Sequence, residues 1–202
     1  MTVAPDGRSL VGDVVRLDRL QDGDIEELYA AIVSEQVYAA GYGGGVAGMP
    51  ADAETMRAQW IPAAAKRAAY VVRLVADSPL GAAGTLVGTS SLGDVDLTNE
   101  SIHLGWTGYT PAVWGTAVNP AAKLLLLQHA FEDCGFGRVK IQTGLINTRS
   151  QAAIAKLGAT REGVLRRERR EADGSFRDTV VFSILADEWP GVRKRLEDRI
   201  NR

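Results

Sequence analysis

Hydrophobic and polar residues alternate in several short stretches of the chain, and this period of two predicts β-strands. Two turn signals, Asp77-Ser-Pro79 and Asp173-Gly174, each lie between two such stretches and predict antiparallel pairs. The predicted strands are Val14–Leu20, Ala69–Ala76, Gly84–Leu92, Ser101–Thr107, Arg138–Ile146, Arg161–Arg170 and Phe176–Leu185. The pattern therefore predicts a mostly antiparallel sheet of about seven strands.

Between several of these strands, apolar residues recur at helical spacing and predict helices. Apolar residues recur at steps of three and four from Ile25 to Ile32, and Ala51–Lys66 predicts a second helix that Pro62 should bend or interrupt. Gly41–Gly48 is too rich in glycine for a regular element, so we expect a mobile loop there, although a plain linker is an equal alternative.

A long amphipathic helix should connect the Ser101–Thr107 strand to the Arg138–Ile146 strand. Its apolar stripe is Leu124, Leu127, Phe131 and Cys134, and Lys123 is assigned to the solvent side. A helical crossover makes its two strands parallel neighbours, so parallel pairing is expected only there. The chain is thus predicted to form one α/β domain over residues 1–202, with helices on both faces of the sheet.

Composition narrows the class of protein. The formal net charge is −2, from 23 basic and 25 acidic residues, so neither nucleic acid nor an anionic membrane is an expected partner. The single cysteine, Cys134, excludes an intrachain disulfide and a zinc cluster of several cysteines, and no metal is expected. Residues 1–10 lack a signal-peptide core, which together with the single cysteine predicts a cytoplasmic protein.

Small or non-ionic side chains occupy the loop between the Ser101–Thr107 strand and the long helix. They are Gly115, Thr116, Ala117 and Val118. Their amides would be the unpaired donors of a first helical turn, and such donors bind phosphate or pyrophosphate. A loop of this kind is also common as an ordinary connection, so the motifs that follow it decide its meaning.

Those motifs come in a definite order. From the N-terminal side they are Gly105-Trp106, Trp114-Gly115, Asn147-x-x-Ser150, Leu157-Gly158, Glu162-Gly163 and Glu188-Trp189. Over about residues 10–195 the chain resembles the GNAT acyl-CoA-dependent N-acetyltransferases, and within them the branch that acetylates ribosomal-protein N-termini. Two positions depart from the family pattern: Ala112 stands where a basic residue or glutamine usually opens the pyrophosphate loop, and Ala117 replaces its second glycine.

The resemblance implies a sheet that splits between the strands ending at Thr107 and Ile146. It implies coenzyme A with its pyrophosphate in the loop Trp114–Val118, its pantetheine arm along the main chain of Trp106 and Thr107, and Asn147 directed toward that arm. It also makes Tyr42 and Trp60 candidate contacts of the acceptor, with core packing as the alternative for Trp60. Members of the family often form homodimers, although no exposed apolar stripe identifies an interface here.

Ser150 is the first candidate catalytic residue. Thr148-x-x-Gln151 matches a capping box, which would leave Ser150 free of capping duty, and Ser150 precedes Ala153, Ile154 and Leu157 at spacings that place it on the packed helix face. Its position also resembles that of the family's acid serine. We therefore predict that Ser150 donates a hydrogen bond or proton to the departing thiolate; the alternative is that Ser150 itself caps the helix.

His103 is the second candidate, because histidine titrates near neutral pH and an attacking amine must lose a proton. Strand alternation places it on one face with Gly105 and Thr107, opposite Ile102, Leu104 and Trp106. A histidine that is merely hydrogen-bonded at a half-buried surface is the alternative.

Two classes of function remain open. One is an enzyme that moves an acetyl group from acetyl-CoA, or a larger acyl group such as succinyl, to a primary amine of a protein N-terminus, a lysine or a small molecule. The other is a catalytically silent acyl-CoA-binding module. Ala112 favours the module, whereas the presence of both Asn147 and Ser150 favours the enzyme.

Overall fold

A computed structural model describes residues 1–201 as one eight-stranded sheet with helices on both faces. The strands are β1 Leu10–Val11, β2 Val15–Arg19, β3 Ala68–Leu74, β4 Leu86–Asp96, β5 Ser101–Tyr109, β6 Arg138–Gly144, β7 Thr160–Arg170 and β8 Phe176–Leu185. The helices are α1 Ile25–Ile32, α2 Glu35–Ala39, α3 Ala53–Ala64, α4 Val118–Gln128, α5 Thr148–Ala155 and α6 Trp189–Ile200.

The strands follow the order β1-β2-β3-β4-β5-β6-β8-β7, and every neighbouring pair except one is antiparallel. The exception is β5 with β6, which confirms the parallel pair predicted from the helical crossover. The predicted number of about seven strands omitted β1, because two residues are too short to show a period of two.

The pairing of β5 with β6 ends early. Its register covers Ser101↔Arg138, Ile102↔Val139 and His103↔Lys140, after which the two strands continue without pairing. The predicted split is therefore present. It opens beyond His103 and is bounded by the rest of β5 on one side and the rest of β6 on the other.

Each face of the sheet buries its own apolar cluster. On one face the inward side chains of the strands pack with α4, α5 and α6, whose buried residues include Leu126, Ile154 and Val192. On the other face they pack with α1 and α3 through Leu28 and Met56. Helices on both faces were predicted, and burial of these two sets of side chains removes a large apolar area from water.

Three local features differ from expectation. Pro62 does not interrupt α3, which runs from Ala53 to Ala64, although the proline has no N–H to bond the carbonyl of Ala58. Gly41–Gly48 contains two short 3₁₀ turns, Tyr42–Gly44 and Val46–Gly48, because Gly41, Gly43, Gly44 and Gly45 adopt the positive φ angles that these turns need. The end of α4 widens into a π-helical segment, His129–Asp133, which no sequence signal predicted.

Candidate functional site

A bulge in β5 shapes the wall of the split. Ser91 pairs with Gly105 and Thr89 pairs with Gly108, so Trp106 and Thr107 together oppose the single residue Ser90. Trp106 has a φ angle of 50°, a left-handed conformation that a bulky side chain rarely adopts. Strained backbone of this kind is frequent at functional sites.

The bulge corrects the predicted alternation of β5. Trp106 does not share a face with Ile102 and Leu104; its ring lies 4.7 Å from the ring of His103. Thr107 in turn leaves the face of His103, because its hydroxyl meets Lys123 of α4. One extra residue in the strand exchanges the two side chains, and the sequence alone does not reveal such an insertion.

Lys123 is buried beneath this bulge, contrary to its assignment to solvent. It is 5% exposed, and its ammonium donates to Ser90 Oγ at 3.0 Å and to Thr107 Oγ1 at 2.6 Å. The two hydroxyls also bond each other at 2.8 Å. No carboxylate of residues 1–201 lies within salt-bridge distance of Lys123, and burial lowers its pKa to about 7. The signal that could have placed it inside is its spacing of four from the buried Leu127.

Replacing Lys123 by methionine should raise the free energy of unfolding below pH 7. The folded protein holds a proton on Lys123 only below about pH 7, whereas an unfolded lysine holds it up to about 10.5. The unfolded chain therefore binds more protons between these values, so the wild type gains stability as pH rises, by roughly 1.4 kcal/mol per pH unit. Urea unfolding at pH 6 and pH 9 measures this. The gain in free energy of unfolding from Lys123→Met should be smaller at pH 9 than at pH 6. Lys194→Met, on the exposed side of α6, should change the free energy of unfolding by the same small amount at both pH values. Equal destabilisation by Lys123→Met at both pH values would contradict the prediction.

His103 lies on the α3 face of the sheet, 5% exposed. Its Nδ1 is 3.1 Å from Asp94 Oδ2, and its buried Nε2 has no hydrogen-bond partner. A carboxylate at Nδ1 favours the tautomer that carries its proton there, which leaves the lone pair of Nε2 free. Burial lowers the pKa of His103 to about 4, so the ring is neutral at pH 7. The structure thus gives His103 a partner, Asp94, that sequence reasoning did not identify; Asp94 is nine residues earlier, across the β4–β5 hairpin.

The loop after β5 leads into α4 through Gly115, whose φ angle is 79° and whose Cβ position is open space. The amides of Gly115 and Ala117 have no hydrogen-bond partner within residues 1–201. The other two predicted donors are engaged, although by long bonds: Thr116 N to Val113 O at 3.4 Å, and Val118 N to Thr116 Oγ1 at 3.3 Å. Two free amides and two weakly held ones at the start of an eleven-residue helix suit an anionic ligand.

Trp114 joins this loop to the rest of the site. Its indole nitrogen donates to Tyr109 O at 3.0 Å, which fixes the loop to the end of β5. Arg149 of α5 lies over the same ring, with its Cζ 3.4 Å from the centroid. The loop's own sequence lacks a cation at Ala112, but Arg149 brings one from another element to the ring of Trp114, the residue before Gly115. Sequence reasoning missed this contribution, because it depends on tertiary packing.

Asn147 caps α5: its Oδ1 accepts from Ser150 N at 2.9 Å. The predicted capping box is therefore wrong, because Thr148 is the first residue of the helix and Gln151 bonds Leu145 O instead. The alternative in which Ser150 caps the helix is excluded as well. The hydroxyl of Ser150 has no partner within residues 1–201, and Ser150 shares a helix face with the buried Ile154 and Leu157.

The glycine-rich segment connects the two sides of the split. A Cβ atom at Gly41 would lie 2.5 Å from Asn147 Nδ2, and one at Gly108 would lie 2.8 Å from the ring of Tyr42. Gly41 therefore contacts the start of α5 while Tyr42 packs on β5. Trp60 of α3 lies 6.2 Å from Tyr42, centroid to centroid, and packs against the cluster under α1 and α3.

Near the split, Asn147 lies against Gly41, Tyr42 lies against Gly108 of β5, and Ser150 follows Asn147 in the first turn of α5. His103 adjoins the split through Trp106, and the loop Trp114–Val118 closes one end. Within residues 1–201 there is no group of three or more His, Cys, Asp or Glu side chains arranged to hold a metal ion. No helix in that range is long and apolar enough to cross a membrane.

Comparison with known proteins identifies the family. A model of the acetyltransferase (GNAT) domain matches residues 15–160. The "Putative ribosomal N-acetyltransferase YdaF" of Bacillus subtilis (strain 168) is 31% identical over 108 residues, which are 54% of this chain and 58% of that protein. The match thus spans less than two thirds of the length of this relative.

Solved structures agree with this assignment. A "putative acetyltransferase" from T. thermophilus is 33% identical, covers 99% of this chain with all of its own, and superposes with a TM-score of 0.81. The RimJ protein of Mycobacterium smegmatis, solved in complex with CoA-disulfide, shares the fold at 23% identity and a TM-score of 0.74, with 94% of this chain and 92% of that one covered. Because the matched residues 15–160 contain β2–β6, the split and the loop before α4, the chain belongs to the GNAT family of acetyltransferases.

Proposed function

We propose that this protein transfers an acetyl group from acetyl-CoA to a primary amine. The observation that carries the proposal is the free hydroxyl of Ser150 at the start of α5, where Asn147 performs the capping and borders the split. A hydroxyl without a partner, next to an opening in a sheet, is available to a ligand. The opening itself leaves the main chain of β5 beyond His103 unpaired on one side.

The residues around the loop fit coenzyme A. The free amides of Gly115 and Ala117 can receive a pyrophosphate, and the guanidinium of Arg149 adds positive charge at Trp114, in the same loop. The unpaired edge at Trp106 and Thr107 can bond the amides of the pantetheine arm, toward which Asn147 would also point. When bound, acetyl-CoA supplies an acyl group activated as a thioester.

The chain's own groups can handle the two protons of the reaction. His103 Nε2 is the candidate acceptor for the proton that the amine loses, and Asp94 holds the ring in the tautomer needed for this. Burial lowers the pKa of His103 to about 4, which makes it a weak base at pH 7. Ser150 can donate to the departing thiol sulfur. Lys123 fixes the bulged strand through Thr107, so the wall of the site keeps its shape.

For the acceptor we propose a protein N-terminus. The name of the Bacillus subtilis relative, a putative ribosomal N-acetyltransferase, supports a ribosomal acceptor. Tyr42 and Trp60 would contact it. A lysine or a small amine is the alternative acceptor, and succinyl the alternative acyl group. A ribosomal-protein acceptor would put the protein in the cytoplasm. The homodimer implied by the family resemblance stays a prediction.

A thiol-release assay tests the proposal. Purified protein is incubated with acetyl-CoA or succinyl-CoA and a panel of N-terminal peptides, lysine peptides and small amines. We expect acceptor-dependent thiol release with acetyl-CoA. Release with succinyl-CoA alone would change the acyl group, and tight CoA binding without release from any acceptor would instead identify a silent binding module.

A further inference from the structure

A pocket of about 400 Å³ lies beside Trp106 on the α3 face of the sheet. The end of α3 forms one wall, and the charged side chains that line it are Lys66, Arg67 and Asp94. Because Trp106 also forms part of the split and contacts His103, the pocket adjoins the groups proposed to act on the amine. Its volume suits one or two amino-acid residues rather than a long peptide.

Arg67 is the unusual member of this set. Its Nε donates to Ser91 Oγ and its Nη1 to Ala63 O, both at 3.3 Å, and its guanidinium stacks on Trp106 at 4.7 Å. Its Nη2 has no hydrogen-bond partner within residues 1–201, and no carboxylate there lies within 4.0 Å of its guanidinium. A half-buried cation that is held rigidly and lacks a counter-ion is suited to an anionic ligand.

Asp94 provides the opposite charge at the His103 side of the pocket. Its φ angle is 48°, and this conformation brings Oδ2 to within 3.1 Å of His103 Nδ1 and 3.9 Å of Lys140 Nζ. The side chain is nevertheless 54% exposed, so an ammonium group can reach it. One carboxylate therefore marks a place for an amine on the Nδ1 side of the His103 ring.

The balance of charge decides what kind of amine is favoured. Lys66 and Arg67 are two cations against the single carboxylate of Asp94, which Lys140 already approaches. His103 is neutral and adds no charge. An amine arrives at neutral pH largely as a cation, so a molecule with no other charge would be repelled by this pocket. An acceptor that carries its own anionic group would neutralise the excess.

We infer that the preferred acceptor is an amine bearing an anionic oxygen group, a carboxylate or a phosphate, which lies against Arg67 and Lys66 while the amine faces Asp94 and His103. This inference rests on the proposed acetyl transfer and adds the chemical class of the acceptor. A short N-terminal segment with an acidic side chain in its first residues satisfies it.

The test compares matched acceptors in the wild type and in Arg67→Met. Peptides with free N-termini carry glutamate, glutamine or phosphoserine at the first, second or third position, and kcat/KM is measured for each. In the wild type we expect a preference of about tenfold or more for an anionic peptide over its glutamine match. The glutamate and phosphoserine arms distinguish a carboxylate from a phosphate.

In Arg67→Met, the ratio of kcat/KM for an anionic peptide to kcat/KM for its glutamine match should fall toward one. Damage to packing under Trp106 would lower kcat/KM for all peptides alike and leave the ratio unchanged, so the ratio separates recognition from structure. Lys194→Met on α6 removes one positive charge from the opposite face and should keep the wild-type ratio. A wild-type ratio near one, or an unchanged ratio in Arg67→Met, would overturn the inference while acetyl transfer stands. Absence of transfer to every acceptor would overturn both.

Discussion

Replacing Ser150 by alanine should lower kcat by about 10-fold to 1,000-fold and leave the fold intact. The hydroxyl is the only group removed, and it holds no structural bond within residues 1–201. Asn147 caps α5 in its place, so no capping energy is lost. A thiol that departs without a donor must leave as a less stabilised thiolate, which raises the barrier. Steady-state kinetics with acetyl-CoA measure the change.

Two variants on the same helix serve as controls. Thr148→Ala removes a neighbouring exposed hydroxyl and should leave kcat near the wild-type value. Asn147→Ala removes the cap and should cost about 1 kcal/mol of stability. If Ser150→Ala turned over normally, or lost stability as Asn147→Ala does, the donor role of Ser150 would be wrong.

Replacing Gly115 by aspartate should weaken coenzyme A binding by about 100-fold or more. The carboxylate would bond the free amides that are proposed to receive the pyrophosphate, and it would repel the phosphates directly. The φ angle of 79° adds backbone strain, since a side chain is unfavourable in that conformation. Calorimetry with coenzyme A gives the dissociation constant.

Gly115→Asn is the matched control. Asparagine has nearly the same size and tolerates the left-handed conformation, but it carries no charge. Its dissociation constant for coenzyme A should rise by less than about tenfold. Pantetheine, which lacks phosphates, should bind the wild type and both variants equally. Equal coenzyme A binding by Gly115→Asp and the wild type would place the pyrophosphate elsewhere.

Sequence reasoning was most accurate where the signal is local. The alternation of Arg138–Ile146 and the turn at Asp173-Gly174 are properties of neighbouring residues, and both elements are present in the structure. The parallel pairing of β5 with β6 also followed from the sequence, because a helix between two strands allows little else.

The candidate site could be predicted only in part, because its shape depends on contacts between distant residues. The bulge at Trp106 shifts two side chains to opposite faces, and the residue order on either side of it gives no sign of the insertion. Lys123 was assigned to solvent because it lies off the predicted apolar stripe, yet its ammonium is buried against Ser90 and Thr107. In both cases tertiary packing outweighed the local pattern.

The cap of α5 shows the same limit at smaller scale. Thr148 and Gln151 satisfy the pattern of a capping box, yet the N-cap is Asn147, one residue before the predicted one. The choice between two good capping residues depends on the residue at which β6 ends and on the turn that follows it. The sequence of the loop, with Ala112 in place of a basic residue, likewise cannot show that Arg149 of a different helix contacts Trp114.

The short pairing between β5 and β6 also divides the sheet mechanically. Only three residue pairs join the half formed by β1–β5 to the half formed by β6, β8 and β7, and α4 is the covalent link between the halves. Main-chain groups of β5 beyond His103 that turn away from β4 face the opening rather than another strand. A ligand that bonds both edges of the opening would hold the two halves of the sheet together.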